Sequence, residues 1–196
     1  MSLSGRADMF GGAGGGGGGF KKKPHPSALV ESIAKNECES ADFGSSSIFA
    51  IKPLEWTEKL CEAMAGNTAL VSLDLSDCGI DDKCCDLLGA VLEADQKLEK
   101  LILNKNAIRD GGCAKLATSL ARNITLREIE LFGQTGGRKW GEGCLVTWLE
   151  MYKTNFSILR VNWTTNSKNT VTLTKMLARN MDVNNKIKNG DSGWHG

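Results

Sequence analysis

Apolar residues recur along this chain at a fixed spacing, while the residues between them vary. The stretch LVSLDLSDCGI at residues 70–80 carries leucine or isoleucine at the same places as LEKLILNKNAI at residues 98–108. A second shift of 28 residues places the skeleton on residues 126–131, and a further shift of 32 places it on residues 158–163. Four occurrences of one spacing predict a repeat protein, in which each repeat is a structural unit that stacks on its neighbours.

Each repeat has the pattern of one strand followed by one helix. The spacing L-x-x-L-x-L puts the apolar side chains of a short strand on its inner side. Cys78 and Asn106 stand at the turn position that leucine-rich repeats give to Asn or Cys. Apolar residues at helical spacing follow each strand, as in Leu116, Ala117 and Leu120. The predicted fold is an α/β leucine-rich-repeat solenoid with parallel strands on the concave face, helices on the convex face and a C-terminal capping helix.

An Asn or Asp stands three residues before the first apolar position of each block. We expect two of these residues, Asn123 and Asn155, to end the preceding helix. The four positions are Asn67, Asp95, Asn123 and Asn155.

The two ends of the repeat array have weaker patterns, as expected of terminal repeats that must cap a core. Residues 27–34 and 54–65 are predicted helices, and the segment CESADFGSSSIF between them is predicted to be a degenerate first repeat. Residues 170–180 are predicted to form a closing helix without a further strand. We predict three regions: a disordered Gly/Lys-rich tail at residues 1–26, the repeat domain at residues 27–190 and a flexible C-terminus at residues 191–196.

The glycine run in the N-terminal tail is followed by lysines, which invites comparison with a phosphate-binding loop. Such a loop needs glycine followed directly by lysine and then Ser or Thr, between a strand and a helix. Here Phe20 separates the glycines from Lys21, no Ser or Thr follows the lysines, and Pro24 ends the run. A flexible tail is the better interpretation.

Charge is balanced overall but uneven along the chain. The net charge is +1, so nothing global indicates a nucleic acid or an anionic membrane as partner. Residues 31–95 carry 14 acids and 4 bases, whereas residues 96–196 carry 16 bases and 8 acids. This asymmetry either presents different fields to different partners or reflects only the solvated faces of helices. No apolar run approaches 18 residues, so we expect no membrane span.

The residue types that carry chemistry are sparse or badly placed. Seven cysteines, without a C-x-x-C pair, are predicted to be reduced core thiols of a cytosolic protein. The only histidines, His25 and His195, lie near the ends, so no candidate nucleophile has a base beside it and a zinc site has little support. We predict a non-catalytic protein without metal or cofactor.

Two surfaces of the predicted solenoid are candidates for partner binding. The third repeat carries an insertion, FGQTGGRKWGEG, in which Arg138, Lys139 and Trp140 have the composition of an interface. The alternative for Trp140 is that its ring folds back to cover the core. On the concave face the outward positions are polar and of mixed sign, and the charged members predicted to meet a partner are Asp74, Lys100, Glu128, Glu130 and Arg160.

The order of these segments resembles a known family. The stretches NTALVSLDLSDCGI, NFSILRVNW and LARNMDVNNKIKNG, with the longer third loop, are similar to the C-terminal leucine-rich-repeat domain of tropomodulins and leiomodins. LVESIAKNECESADF resembles the first helix and opening repeat of that domain. The resemblance covers roughly residues 27–190, and its most specific part is the Asn-rich, basic end.

The resemblance implies that this chain binds actin. The family caps the pointed ends of actin filaments or nucleates actin, and its final helix contributes to the actin-binding surface. The family's tropomyosin-binding helices are replaced here by the glycine tail, so tropomyosin binding is not expected. The alternative is a scaffold for an unrelated cytoskeletal or signalling partner, also in the cytoplasm. The residues implied to contact actin are Lys175, Arg179, Lys186 and Lys188, although basic residues there would also complement a helix C-terminus.

Overall fold

The structure, a computed structural model, describes residues 23–135, 140–165 and 169–190. Five short strands form one parallel sheet, in which each strand pairs with the next along the chain. The strands are β1 (Ser40–Asp42), β2 (Ser72–Asp74), β3 (Lys100–Ile102), β4 (Glu128–Glu130) and β5 (Arg160–Asn162). The helices are α1 (Pro26–Ala34), α2 (Ser47–Ile51), α3 (Pro53–Met64), α4 (Asp82–Ala94), α5 (Asp110–Leu120), α6 (Glu142–Thr154) and α7 (Thr170–Lys188).

The strand register follows the repeat, which confirms the solenoid prediction. The middle residues of the five strands stand opposite one another, and they are Ala41, Leu73, Leu101, Ile129 and Val161. The first four are fully buried against the helices, and the residues on either side of them point to the concave face. One apolar core therefore runs the length of the solenoid between the sheet and the helices. None of the described helices has the length and hydropathy needed to cross a membrane.

Asn123 and Asn155, the two residues predicted to end a helix, lie between that helix and the next strand. The Oδ1 atom of Asn123 accepts hydrogen bonds from the backbone N–H groups of Thr125 and Leu126. Its Nδ2 atom donates to the Leu92 carbonyl oxygen at 2.7 Å, one repeat earlier. Asn155 makes the same bonds one repeat later, where its Nδ2 atom donates to a carbonyl oxygen of the preceding repeat and its Oδ1 atom accepts from two backbone N–H groups. A buried amide that satisfies backbone groups of two repeats fixes how those repeats stack.

The turn after each strand is also held by a side chain. Asn106 Oδ1 accepts from the backbone N–H groups of Cys78 and Ile80, and its Nδ2 donates to the carbonyl oxygens of the two preceding strand ends. The turn role predicted for Asn106 is thus confirmed. Gln134 takes the same position in the next repeat, and its amide donates to the Leu103 carbonyl oxygen at 2.9 Å. Its place was readable from the period of 28 residues.

Cys78 is a buried turn residue, as predicted. Its thiol contacts the Phe43 carbonyl oxygen at 3.2 Å, and burial raises the pKa of the Cys78 thiol to about 12. All seven cysteines are free. Burial likewise raises the pKa of the Cys61 thiol to about 12, so these groups stay protonated at neutral pH and behave as core residues.

A second set of contacts between repeats was not predicted from the sequence. The acidic residue at the start of one helix accepts a hydrogen bond from the residue that precedes the next helix. Asp82 Oδ1 accepts from the Arg109 backbone N–H at 2.7 Å, and Asp110 Oδ1 accepts from the Gly141 backbone N–H at 3.3 Å. These carboxylates also lie in the first turn of a helix, where negative charge is favourable.

The first and last helices are longer than predicted. Helix α1 begins at Pro26, one residue before the predicted start, and Lys23 Nζ, just before it, donates to Asp42 Oδ1 at 2.7 Å. The closing helix continues past residue 180 to Lys188. Its second half is rich in asparagine, a weak helix former, but its apolar spacing keeps one face on the core. Residues 1–22 of the tail predicted at residues 1–26, and the C-terminus predicted at residues 191–196, lie outside the described residues.

Candidate protein-binding site

The concave face brings four of its predicted residues into one ion-pair network. Lys100 Nζ lies 3.1 Å from Glu128 Oε1 and 3.4 Å from Glu130 Oε1. Arg160 Nη1 lies 3.3 Å from the same Glu128 oxygen. The hydrogen bond to Glu128 raises the pKa of the Lys100 ammonium. Burial opposes ionisation of Glu130, but hydrogen bonds from Asn104 and Lys100 lower the pKa of its carboxyl below the ordinary value.

Asp74 lies apart from this network, at the acidic N-terminal end of the concave face. It stands opposite Asp42 on the neighbouring strand. Asp42 accepts the Lys23 ammonium, which also donates to the Gly44 carbonyl oxygen at 2.7 Å. The concave face therefore carries one ion pair, Lys23 with Asp42, beside Asp74 over the first two strands, and a larger ion-pair network over the last three.

The third-repeat loop does not present Trp140 to a partner. The ring is 1% exposed and belongs to the core cluster, while the Trp140 backbone N–H donates to the Thr164 carbonyl oxygen at 3.2 Å. The alternative holds: Trp140 covers the core under its loop, because burying a large apolar ring is favourable. Arg138 and Lys139 lie outside the described residues.

Arg179, one of the four basic residues of the closing helix, has a structural role instead of a free surface position. Its guanidinium donates to the carbonyl oxygens of Tyr152 and Asn155, at the C-terminal end of α6. It also lies over the Phe156 ring, 4.1 Å from the ring centroid. A cation at the end of a helix satisfies carbonyl groups that have no partner within the helix. The alternative stated for the basic residues therefore applies to Arg179.

The residue that follows, Asn180, was missed from the sequence and is fully buried. Its Nδ2 atom donates to the Asn155 carbonyl oxygen at 3.1 Å and to the Ile158 carbonyl oxygen at 2.8 Å. Its Oδ1 atom accepts from Arg179. Asn180 closes the series of side-chain amides that joins the repeats, although its distance from Asn155 breaks the period.

The remaining basic residues of α7 are on its solvent side. Lys175 and Lys188 are exposed and have no ion-pair partner in the part of the chain that the structure describes. Lys186 lies 2.8 Å from Asp182, four residues earlier. Val171 and Met181 are 65% and 52% exposed on the same helix. The outer side of α7 thus combines two available cations with exposed apolar side chains.

Comparison with known proteins supports the repeat assignment and the fold. A family model described as Leucine Rich repeat matches residues 66–87 and 94–117. The solved structure of Leiomodin-1 Actin-Binding Site 2 is similar with a TM-score of 0.76 and 22% identity, over 84% of this chain and 94% of that one. The tropomodulin C-terminal domain of Caenorhabditis elegans is similar with a TM-score of 0.75 and 16% identity, over 85% of this chain and 99% of that one.

These likenesses cover more than four fifths of this chain and nearly all of the two solved domains. At 22% and 16% sequence identity, these likenesses establish the fold and nothing beyond it. The chain is a leucine-rich-repeat solenoid with the fold of leiomodin-1 actin-binding site 2 and of the tropomodulin C-terminal domain.

Proposed function

We propose that this chain is a non-catalytic protein-binding module that binds actin and caps the pointed end of the filament. The observation that carries the proposal is the shared fold with Leiomodin-1 Actin-Binding Site 2, which spans 94% of that domain. A fold by itself does not fix function. The surface of the closing helix supplies the second support.

The outer side of α7 is the surface that we assign to the contact. Lys175 and Lys188 are exposed cations that no described carboxylate neutralises, so both are available to an acidic partner surface. Val171 and Met181 add apolar area that a partner would cover. Cations around an apolar centre are typical of protein interfaces and raise the association rate with an acidic partner. A chain bound in this way would be located at the cytoskeleton.

Co-sedimentation with filamentous actin tests the proposal. We expect the wild-type chain to sediment with actin at micromolar to tens of micromolar concentrations. The double variant Lys175→Gln/Lys188→Gln should bind about two- to thirtyfold more weakly, with a smaller salt dependence, because each exposed charge contributes roughly 0.2–1 kcal/mol. Lys83→Gln, an exposed lysine on α4, is the matched control and should bind like wild type.

Pointed-end elongation tests the capping activity. Filaments whose barbed ends are blocked should elongate more slowly as the chain is added, and the double variant should require a proportionally higher concentration. Binding to filament sides without slower pointed-end growth would contradict capping. No sedimentation at tens of micromolar chain would contradict actin binding and favour another protein partner.

A further inference from the structure

An apolar groove lies between the closing helix and the loops that precede β4 and β5. Its volume is about 250 Å³. Of the eleven residues that line it, Arg127 alone is charged. The large apolar side chains in the lining are Ile124, Phe156, Val183 and Ile187.

Ile187 faces this groove because of the periodicity of α7. Leu173, Val183 and Ile187 share one face of the helix, the face that packs against the core. Leu173 and Val183 are 3% and 8% exposed, whereas Ile187, in the last turn of α7, is 67% exposed. The core-facing stripe of α7 therefore continues beyond the core.

Ile124 exposes the opposite wall of the groove. It lies between α5 and β4, next to the buried Asn123, and it is 67% exposed. Two large aliphatic side chains from distant parts of the sequence thus border one concave space. A surface of this form binds a projecting apolar side chain better than it binds a flat surface.

The charge at the groove has one sign. Arg127 is exposed, and the only described hydrogen bond of its guanidinium is a long one of 3.5 Å to the Ser157 carbonyl oxygen. Lys188 follows Ile187 and is likewise exposed, whereas no Asp or Glu is among the lining residues. A ligand with carboxylates beside its apolar side chain would complement both features.

We propose that this groove binds a short peptide segment of a protein partner, with one large apolar side chain in the groove and carboxylates beside it that pair with Arg127 and Lys188. An anionic membrane fits less well, because the apolar surface is concave and a single cation lines it. The inference goes beyond actin binding, and it requires only that the partner offers an exposed segment of this chemistry.

Selection from a library of random twelve-residue peptides tests the groove directly. The full-length chain is the bait, and Ile124→Ser/Arg127→Gln is the counter-selection bait. We expect the enriched peptides to share one Leu, Ile, Met, Phe or Trp next to two or more Asp or Glu residues. The proposal would be overturned if no sequence were enriched relative to the counter-selection bait, or if the enriched peptides lacked Asp and Glu.

Single variants then locate the binding on a synthetic copy of the most enriched peptide, measured by fluorescence anisotropy. Ile124→Ser should weaken binding at least tenfold, and Arg127→Gln about three- to tenfold with a smaller salt dependence. Ile51→Ser is the matched control, because Ile51 is 77% exposed at the other end of the domain. Equal affinity of wild type and Ile124→Ser would place the peptide elsewhere and overturn the proposal. Thermal unfolding confirms that each variant is folded.

Two outcomes separate this proposal from the neighbouring ones. If the chain binds no peptide but sediments with phosphatidylserine vesicles, and Ile124→Ser abolishes that sedimentation, the groove contacts a membrane. This outcome would overturn the peptide proposal. If Ile124→Ser no longer binds the peptide but still binds actin, the result would support a groove that is distinct from the actin-binding surface. Lys175→Gln tests the actin surface alone and should leave peptide binding unchanged, so the failure of one proposal is recognisable without the failure of the other.

Discussion

The side-chain amide of Asn180 donates to the backbone carbonyl oxygen of Asn155 at 3.1 Å, and this bond attaches the closing helix to the last repeat. Asn155 donates in the same way to the Asn123 carbonyl oxygen at 2.9 Å, and Asn123 donates to the Asp95 carbonyl oxygen at 3.3 Å. The amides form a ladder along one edge of the solenoid. In the described residues no further strand follows α7. Asn180 on this helix supplies the hydrogen bonds that the asparagine of a further repeat would have made.

Replacing Asn180 with Ala should destabilise the domain. The change removes the amide that donates to the Ile158 carbonyl oxygen and, together with Arg179, to the Asn155 carbonyl oxygen. It also removes the side-chain oxygen that accepts from Arg179. A buried polar group left without its partner costs about 1–3 kcal/mol, so we expect the free energy of unfolding to fall by that amount in urea titrations. Asn185→Ala, an exposed position of the same helix, is the control and should change it by less than about 0.5 kcal/mol. Equal effects of the two variants would contradict the ladder.

Replacing Gly112 with Ala should also destabilise the domain, for a steric reason. A Cβ atom at Gly112 would lie 2.6 Å from Asp82 Oδ1 and 2.9 Å from Asp82 Cα, so the backbone of α4 or α5 must shift. We expect a loss of about 1–3 kcal/mol in the free energy of unfolding. Gly143→Ala, near the start of α6, is the matched control, because its Cβ would meet nothing within 4 Å. That control should gain about 0.5–1 kcal/mol from helix propensity, so the two changes should have opposite signs.

The repeat could be predicted from the sequence because its information is local and recurs. Leu73, Leu101 and Ile129 each predict a strand middle, and the structure places all three in register. The outward residues of the concave face follow from the same spacing. Their pairing does not, because whether Lys100 contacts Glu128 depends on strand twist and side-chain rotamers that the spacing leaves open.

Contacts between distant segments could not be predicted. The second half of α7 has weak intrinsic helix propensity and is held by tertiary contacts, so its length was underestimated. The sequence left both an exposed and a core position open for the Trp140 ring, because the contact of its backbone N–H with the Thr164 carbonyl oxygen joins segments that the loop composition does not relate. Asn180 does not lie at the repeat spacing from Asn155, so the periodicity did not identify it as a structural residue. The groove beside Ile187 exists only where the helix meets two separate loops.

Replacing Arg179 with Gln should lower stability more than it lowers affinity for actin. Its guanidinium bonds to the carbonyl oxygens of Tyr152 and Asn155 and covers the Phe156 ring, so its contribution is the attachment of α7 to α6. We expect a loss of about 1–3 kcal/mol in the free energy of unfolding, measured by urea titration. In the absence of urea, where the variant is folded, the affinity of Arg179→Gln for actin should fall less than that of Lys175→Gln/Lys188→Gln. A fall in affinity beyond tenfold at unchanged stability would instead place Arg179 in the contact.

Replacing Glu130 with Gln should reduce the acid sensitivity of the fold. Although burial opposes its ionisation, hydrogen bonds from Asn104 and Lys100 lower the pKa of the Glu130 carboxyl below 4.5. A carboxyl with a lower pKa in the folded state stabilises the fold above its unfolded pKa, and this contribution is lost as pH falls through the folded pKa. Wild type should therefore lose more stability than Glu130→Gln between pH 6 and about pH 3, as measured by urea titrations across that range. Parallel curves for wild type and Glu130→Gln would contradict a role for the Lys100 network.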